Sequence, residues 1–236
     1  MEGTMTELLW GSRPQPRRGP KPALTLEGIA TAAIAVADTE GLAAISMQRV
    51  AGELGYTKMS LYRYVPGKAE LVAVMTDLAI GEPPQLDQDA DWAGQLAQWA
   101  ERLFVGFGAH PWLLETTAGP RLVGPNELGW LERALAPLGD TALSAAERLD
   151  AVTVITGHVR TIAQQSLAAG PQQRPEEQLT SAMTQVLAEH GERYPAVLAA
   201  LGAVDPAEQN QAMAFGLRCI LSGLRQLMAE RAVGNG

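Results

Sequence analysis

SMQRVAGELGYTKMSLYRYVPGK, residues 46–68, reads as two short helices joined by a tight turn at Gly55. Ser46 stands where it can cap the first helix, and Val50, Ala51 and Leu54 give that helix a buried stripe. Gly55 follows Leu54 where a left-handed residue is wanted, a conformation that glycine adopts without penalty. Thr57 stands at the cap of the second helix, which is predicted to run to about Val65 and to stop at Pro66-Gly67. Two helices around a short glycine-containing turn form the helix-turn-helix pattern.

The second helix and its exit carry Lys58, Ser60, Tyr62, Arg63, Tyr64 and Lys68, and no carboxylate. In such motifs the second helix enters the major groove, which predicts duplex DNA as a partner. Lys58 and Arg63 have the donors to read a guanine edge, and Ser60 can reach a base or a phosphate. Tyr62, Tyr64 and Lys68 suit phosphate contacts that fix the docking angle, although either tyrosine can instead pack between helices. Arg49 is either a contact or a solvated charge.

Charge is divided along the chain in the same sense. The net charge is −8, yet eight basic residues face four acidic ones between Arg13 and Lys68. From Glu70 onward, ten arginines face twenty carboxylates. The first segment suits phosphates and the remainder repels them. Residues 1–24, rich in Pro, Gly and Arg, read as a flexible basic arm: either it inserts arginine into a minor groove or it is a solubilising tail.

Alanine and leucine dominate a 47% hydrophobic composition and alternating β-branched runs are scarce, so the expected class is all-α. Before the motif, Leu26, Ile29, Ala30, Ala33, Ile34 and Ala37 predict a helix over 25–40, closed by Gly41. After it, helices are expected over 68–80, 92–109, 111–117, 126–136, 144–169, 175–190, 195–201 and 206–231. The stretch 81–91, with two prolines and three aspartates, is the clearest boundary. Cys219, the only cysteine, excludes an internal disulfide and falls in an apolar helical pattern that predicts a buried, inert thiol. No apolar run reaches the roughly 18 residues of a membrane span, and the N-terminus has no signal-peptide pattern, so the expected location is the cytoplasm.

The acidic part has no catalytic signature. Its histidines (His110, His158, His190) lack metal-ligand spacing, and it has no nucleophile elbow, phosphate loop or dinucleotide fingerprint. Neither a metal nor a cofactor is expected, and no enzyme activity. The part does hold Trp92, Trp99, Phe104, Phe107, Trp112 and Trp130. These aromatics are either plain core or the wall of a ligand cavity, which His158 and Gln164 would help to polarise. Gly157, Ala163, Gly216 and Gly223 are small residues on the two longest helices, suited to close packing within a subunit or across a dimer.

The 25–75 segment TLEGIATAAIAVADTEGLAAISMQRVAGELGYTKMSLYRYVPGKAELVAVM resembles the TetR family of bacterial transcriptional regulators. The most telling residues are Gly55, Leu61, Tyr62, Tyr64, Lys68 and Leu71; in the C-terminal part only helix order and His110-Pro111-Trp112 match. The resemblance implies an all-α, Ω-shaped homodimer. Its three-helix DNA-binding domain (25–67) would be joined to a larger ligand-binding and dimerisation domain (68–236). It puts Ser46, Met47 and Gln48 at the DNA-facing start of the first motif helix. Lys58, Met59, Ser60, Tyr62, Arg63, Tyr64 and Lys68 take DNA-contact positions. It implies a four-helix dimer bundle from the last two long helices, with Val152, Ile155, Val159, Leu217, Leu221 and Leu224 as the expected interface.

The resulting expectation is a ligand-responsive repressor that binds a palindromic operator as a dimer and is released by a small hydrophobic effector. Arg63 is an unusual residue for its position in the family and leaves the operator sequence open. Two alternatives stand beside it: an activator or protein-regulated member of the same fold, and an all-α enzyme or binding module with a vestigial DNA motif.

Overall fold

The first helix is one that the sequence does not advertise. In the computed structural model, which describes residues 2–11, 24–169, 175–203 and 211–234, α1 spans Glu2–Trp10. It packs against a later helix of the same unit, and the Trp10 indole donates to the Val123 carbonyl (3.0 Å). This corrects the expectation that residues 1–24 form one flexible arm: Leu8, Leu9 and Trp10 give the segment an apolar end to dock. The basic residues of that arm, Arg13, Arg17, Arg18 and Lys21, lie outside the described residues.

Three helices of the DNA-binding region follow. Thr25 caps α2 (Leu26–Glu40) by accepting from the Gly28 amide, and Gly41 ends it at φ 83°. Ile29, Ala30, Ala33, Val36 and Ala37 form its buried stripe. Ser46 caps α3 (Met47–Glu53) by accepting from the Arg49 amide, and Gly55 takes the left-handed turn at φ 71°. The second motif helix, α4 (Lys58–Leu61), is shorter than its pattern predicts. Tyr64 N and Val65 N both bond to the Leu61 carbonyl, so the chain leaves as a tightened turn. Thr57 occupies the cap position, but its hydroxyl pairs with Ser60 Oγ (3.1 Å) rather than with the backbone.

Beyond the motif come α5 (Lys68–Ile80), α6 (Trp92–Ala109), α7 (Leu113–Thr116) and α8 (Pro125–Leu135). Then follow α9 (Ala145–Ala169), α10 (Pro175–His190), α11 (Pro195–Gly202) and α12 (Ala212–Gly234). Among the described residues there is no strand, and no helix is long and apolar enough to cross a membrane.

Two compact units result. One holds Met1–Asp89 and Val105–Pro137; the other holds Ala90–Phe104 and Leu138–Gly236. In the first, α5 packs on α1, α2, α7 and α8. In the second, α9 and α12 pair along their lengths. A capping box starts α9, with Ser144 N donating to Glu147 and Glu147 N to Ser144 Oγ.

The α9–α12 seam changes two expectations. Val152, Ile155, Val159, Leu217 and Leu221 are already buried within one chain, and Leu224 is half-buried. They are the seam itself and not a face left for a partner, because the two apolar stripes meet each other first. The faces left exposed carry Leu149 and Val154 on α9 and Phe215 on α12, each at least half exposed, together with Gly157 and Gly223. Cys219 also lies on this face and is exposed rather than buried. Two residues beyond Leu217 a helix has turned some 200°, away from the seam.

His158 sits in that seam. Its Nε2 donates to the Met213 carbonyl (3.0 Å), and its ring lies where a side chain at Gly216 would stand: a Cβ there would be 2.3 Å from Cε1. Glycine at 216 is therefore a packing requirement. Gly216→Ala should expel the imidazole and lower stability by about 1–3 kcal/mol in chemical unfolding. Adding His158→Ala to Gly216→Ala should recover part of that loss.

Candidate nucleic-acid interface and its link to the regulatory helices

The motif presents most of its expected DNA-contacting residues outward. Ser46, Gln48, Lys58, Met59, Tyr62, Arg63 and Lys68 are exposed, while Ser60 and Tyr64 are half-buried. Tyr62 is 42% exposed, which favours a contact over interhelical packing. Met47 is the exception: it is buried, 7% exposed, with Val50 and Ala51. The first position after the Ser46 cap faces the core, so the Met47 side chain anchors α3.

Charge separates the basic residues further. Arg49 donates to Glu40 (2.6 Å) and Glu53 (2.8 Å), and these bonds hold it firmly protonated. A guanidinium so engaged braces α3 against the end of α2 rather than meeting a phosphate. Among the described residues no ion pair engages Lys58, Arg63 or Lys68, so their charge is available to DNA. Lys68 is the first residue of α5, where the helix dipole disfavours a cation. An anion bound there would be favoured by both the lysine and the helix end.

Two carboxylates absent from the sequence reading tie this surface to the rest of its unit. Asp38, in the last turn of α2, accepts from His110 Nδ1 (2.8 Å) and from the Trp112 indole (2.7 Å). Asp77, in the last turn of α5, is buried and accepts the backbone amides of Asn126 (3.0 Å) and Glu127 (3.2 Å), which open α8. The Asn126 amide returns a bond to the Asp77 carbonyl (2.9 Å). A Cβ at Gly124 would stand 2.2 Å from Asp77 Oδ1, so the cap needs glycine there. One signal was present in the sequence. A carboxylate in a helix's last turn opposes the dipole and calls for a partner, and both aspartates stand in that position.

The aromatic residues expected around a ligand are divided between the units. Trp99 and Phe104 belong to the second unit, while Phe107, Trp112 and Trp130 belong to the first. Trp112 is bonded to Asp38 and Trp130 donates to the Gly81 carbonyl (3.1 Å), so both indoles hold structure. Trp99 and Phe107 are buried and Phe104 is half-buried. His158 lies in the α9–α12 seam and Gln164 is exposed, so neither forms part of an enclosed polar site within its unit. Among the described residues no group of three or more His, Cys, Asp or Glu could hold a metal.

An exposed polar turn-helix, braced by α2 and carried on α5, defines a helix-turn-helix DNA-binding protein. Residues 29–75 match the model for bacterial regulatory proteins of the tetR family, and residues 83–228 match the tetracyclin repressor-like C-terminal domain. The HTH-type transcriptional repressor DrrR1 of Streptomyces coeruleorubidus is 38% identical over 95% of this chain and 86% of its own length. An HTH-type transcriptional regulator of Saccharopolyspora erythraea is 27% identical over 62% of this chain and 63% of its own. Among solved structures, apo ActR of Streptomyces coelicolor superposes with a TM-score of 0.74 at 23% identity, covering 91% of this chain and 100% of that one. ActR in complex with actinorhodin gives 0.75 at 24% identity over 89% and 99%. The chain belongs to the TetR family of transcriptional regulators, which are not enzymes.

The two kinds of DNA contact separate experimentally. Lys68→Ala should weaken binding to specific and random DNA alike and flatten the salt dependence by about one phosphate contact. Arg63→Ala should cost roughly 1–3 kcal/mol on the preferred operator and little on random DNA. Met47→Leu, conservative in the core, should leave both affinities unchanged. Titrations of a labelled duplex over a salt series measure all three.

Proposed function

We propose that this chain represses by binding a palindromic operator as a homodimer in the cytoplasm, and that a small, largely apolar effector releases it. The observation that carries the reading is the double tie of the DNA-binding helices to α7 and α8. The Asp38 carboxylate holds the His110–Trp112 turn, and the Asp77 carboxylate holds the start of α8. The same compact unit therefore contains the operator-reading residues and helices of the regulatory part. A shift of α7 or α8 has a direct mechanical route to α2 and α5.

An effector acts by binding one arrangement of these helices better than the other, and its differential affinity limits how far it moves the equilibrium. In one arrangement the two recognition helices of a dimer match the half-site spacing of about one turn of DNA; in the other they do not. The exposed α9–α12 face is the dimer surface this reading uses: Leu149, Val154 and Gly157 on one helix, Phe215 and Gly223 on the other. Glycines in open space let the helices of two copies approach closely. That structures of ActR include a complex with actinorhodin supports a small-molecule effector.

Sequencing the genomic fragments that the protein retains tests the operator. They should share an inverted repeat, and a single half-site would overturn the dimeric reading. Asp38→Asn keeps the shape of the tie and removes its charge, so it should leave operator affinity within about threefold while raising the effector dose for release about tenfold. Parallel loss of operator affinity would show that Asp38 supports only the fold of α2. Phe215→Glu should give a folded monomer in sedimentation, with operator affinity lowered at least about a hundredfold through lost bivalence.

A further inference from the structure

Helical threonines in this protein have a habit. Thr31, Thr39, Thr153, Thr156 and Thr161 each donate their hydroxyl to the carbonyl four residues earlier, and Thr117, just past α7, does the same. Thr76 on α5 and Thr116 on α7 break it. Both hydroxyl oxygens are buried and have no hydrogen-bond partner among the described residues, and Thr76 is only 4% exposed. Both residues line one cleft of about 240 Å3, whose walls are otherwise mainly apolar. Val72 and Ala73 of α5, Leu122, and Met5 of α1 are among its apolar lining residues. Burying a hydroxyl unpaired costs free energy, so two at one cleft mark where a hydrogen-bonding group belongs.

We infer that this cleft beneath α1 is a binding site for a neutral, flat compound of one or two rings bearing a hydroxyl or carbonyl. Size sets the ring count: a buried apolar cavity of roughly 150 Å3 takes benzene, so this one admits somewhat more. Charge sets neutrality. Among the described residues, Asp77 and Glu127 line the cleft against one cation, Arg121, whose guanidinium is spent on Glu127 and on the Thr117 and Gly119 carbonyls. Among these described residues a carboxylate ligand would meet a surplus of negative charge and no available cation. Rotation about χ1 turns either threonine hydroxyl into the cleft, where a ligand hydroxyl or carbonyl can pair with it, since each both donates and accepts. The Trp10–Val123 bond ties the end of α1 to the segment before α8. Because the cleft touches Asp77 and α5, a ligand there would bear on the tie between α5 and α8. That consequence rests on the repressor reading above; the site itself does not.

The probes are 1-naphthol, naphthalene and 1-naphthoate, titrated calorimetrically into the full chain. Wild type should bind 1-naphthol about tenfold tighter than naphthalene, the worth of one well-placed hydrogen bond, and should bind 1-naphthoate weakest. Thr76→Val keeps the shape and removes the hydroxyl. It should erase the preference for naphthol and raise the melting temperature of the free protein, because an unpaired buried hydroxyl is gone. With methyl-labelled methionine, the Met5 signal, assigned by Met5→Leu, should move on adding 1-naphthol. Equal affinity for naphthol and naphthalene, no binding at all, an unaltered preference in Thr76→Val, or binding without a shift of Met5 would each overturn the site. Operator binding by the same ligand-free preparations is measured separately. Its absence would sink the repressor reading while leaving the naphthol result to judge the cleft.

Discussion

A single carboxylate, that of Asp77, decides how helices on either side of a long sequence gap are assembled. It leaves the end of α5 and caps α8, satisfying two amides that would otherwise be orphaned at a half-buried helix start. A buried carboxylate is tolerated only when its charge is met, and here the positive end of α8 and two N–H donors meet it. Gly124 follows from the same constraint, since any side chain there would occupy the carboxylate's position. The helix α5 also packs on α2, so one helix joins the DNA-binding region to the start of α8.

Asp38 does similar work from the far end of α2. One oxygen collects two donors from the short turn at His110–Trp112, so the first helix of the DNA-binding region cannot move freely of that turn. Polar ties of this kind suit a switch better than an apolar interface would. They are directional, have few alternative geometries, and can be exchanged for water at modest net cost. A seam such as α9–α12 has the opposite character. Its stripe of Val152, Ile155, Val159, Leu217 and Leu221 is continuous and apolar, as befits a support that stays put.

Much of the architecture was legible from local pattern. Gly41, Gly55 and Gly81 close helices with positive φ, as a glycine after a periodic apolar run should. The bounds of α5 and α6 coincide with the expected ones, because their stripes are long and their ends are marked by glycine, proline or a change in composition. Misreadings cluster where a pattern is short or where burial depends on a distant partner. The helix α1 is nine residues, below what isolated helices sustain, and it docks through contacts that sequence does not display. The Trp112 and Trp130 indoles looked like cavity lining, yet both spend their N–H on a tie to a residue far away in sequence.

Sequence alone determined the class of the chain and the helix-turn-helix that carries its candidate DNA-reading residues. Helical period, the Gly55 turn, the local excess of cations and the run from Leu54 to Leu71 are properties of neighbouring residues, and neighbouring residues set helices and turns. Tertiary structure decided which faces meet. It spent the α9 and α12 apolar stripes within one chain, turned Met47 and Arg49 from candidate contacts into braces, exposed Cys219, and brought Asp38, Asp77, Thr76 and Thr116 to partners or to a cleft dozens of residues away. The physical reason is that a side chain's role follows from what surrounds it, and for these residues the surroundings come from segments that are near in space but remote along the chain.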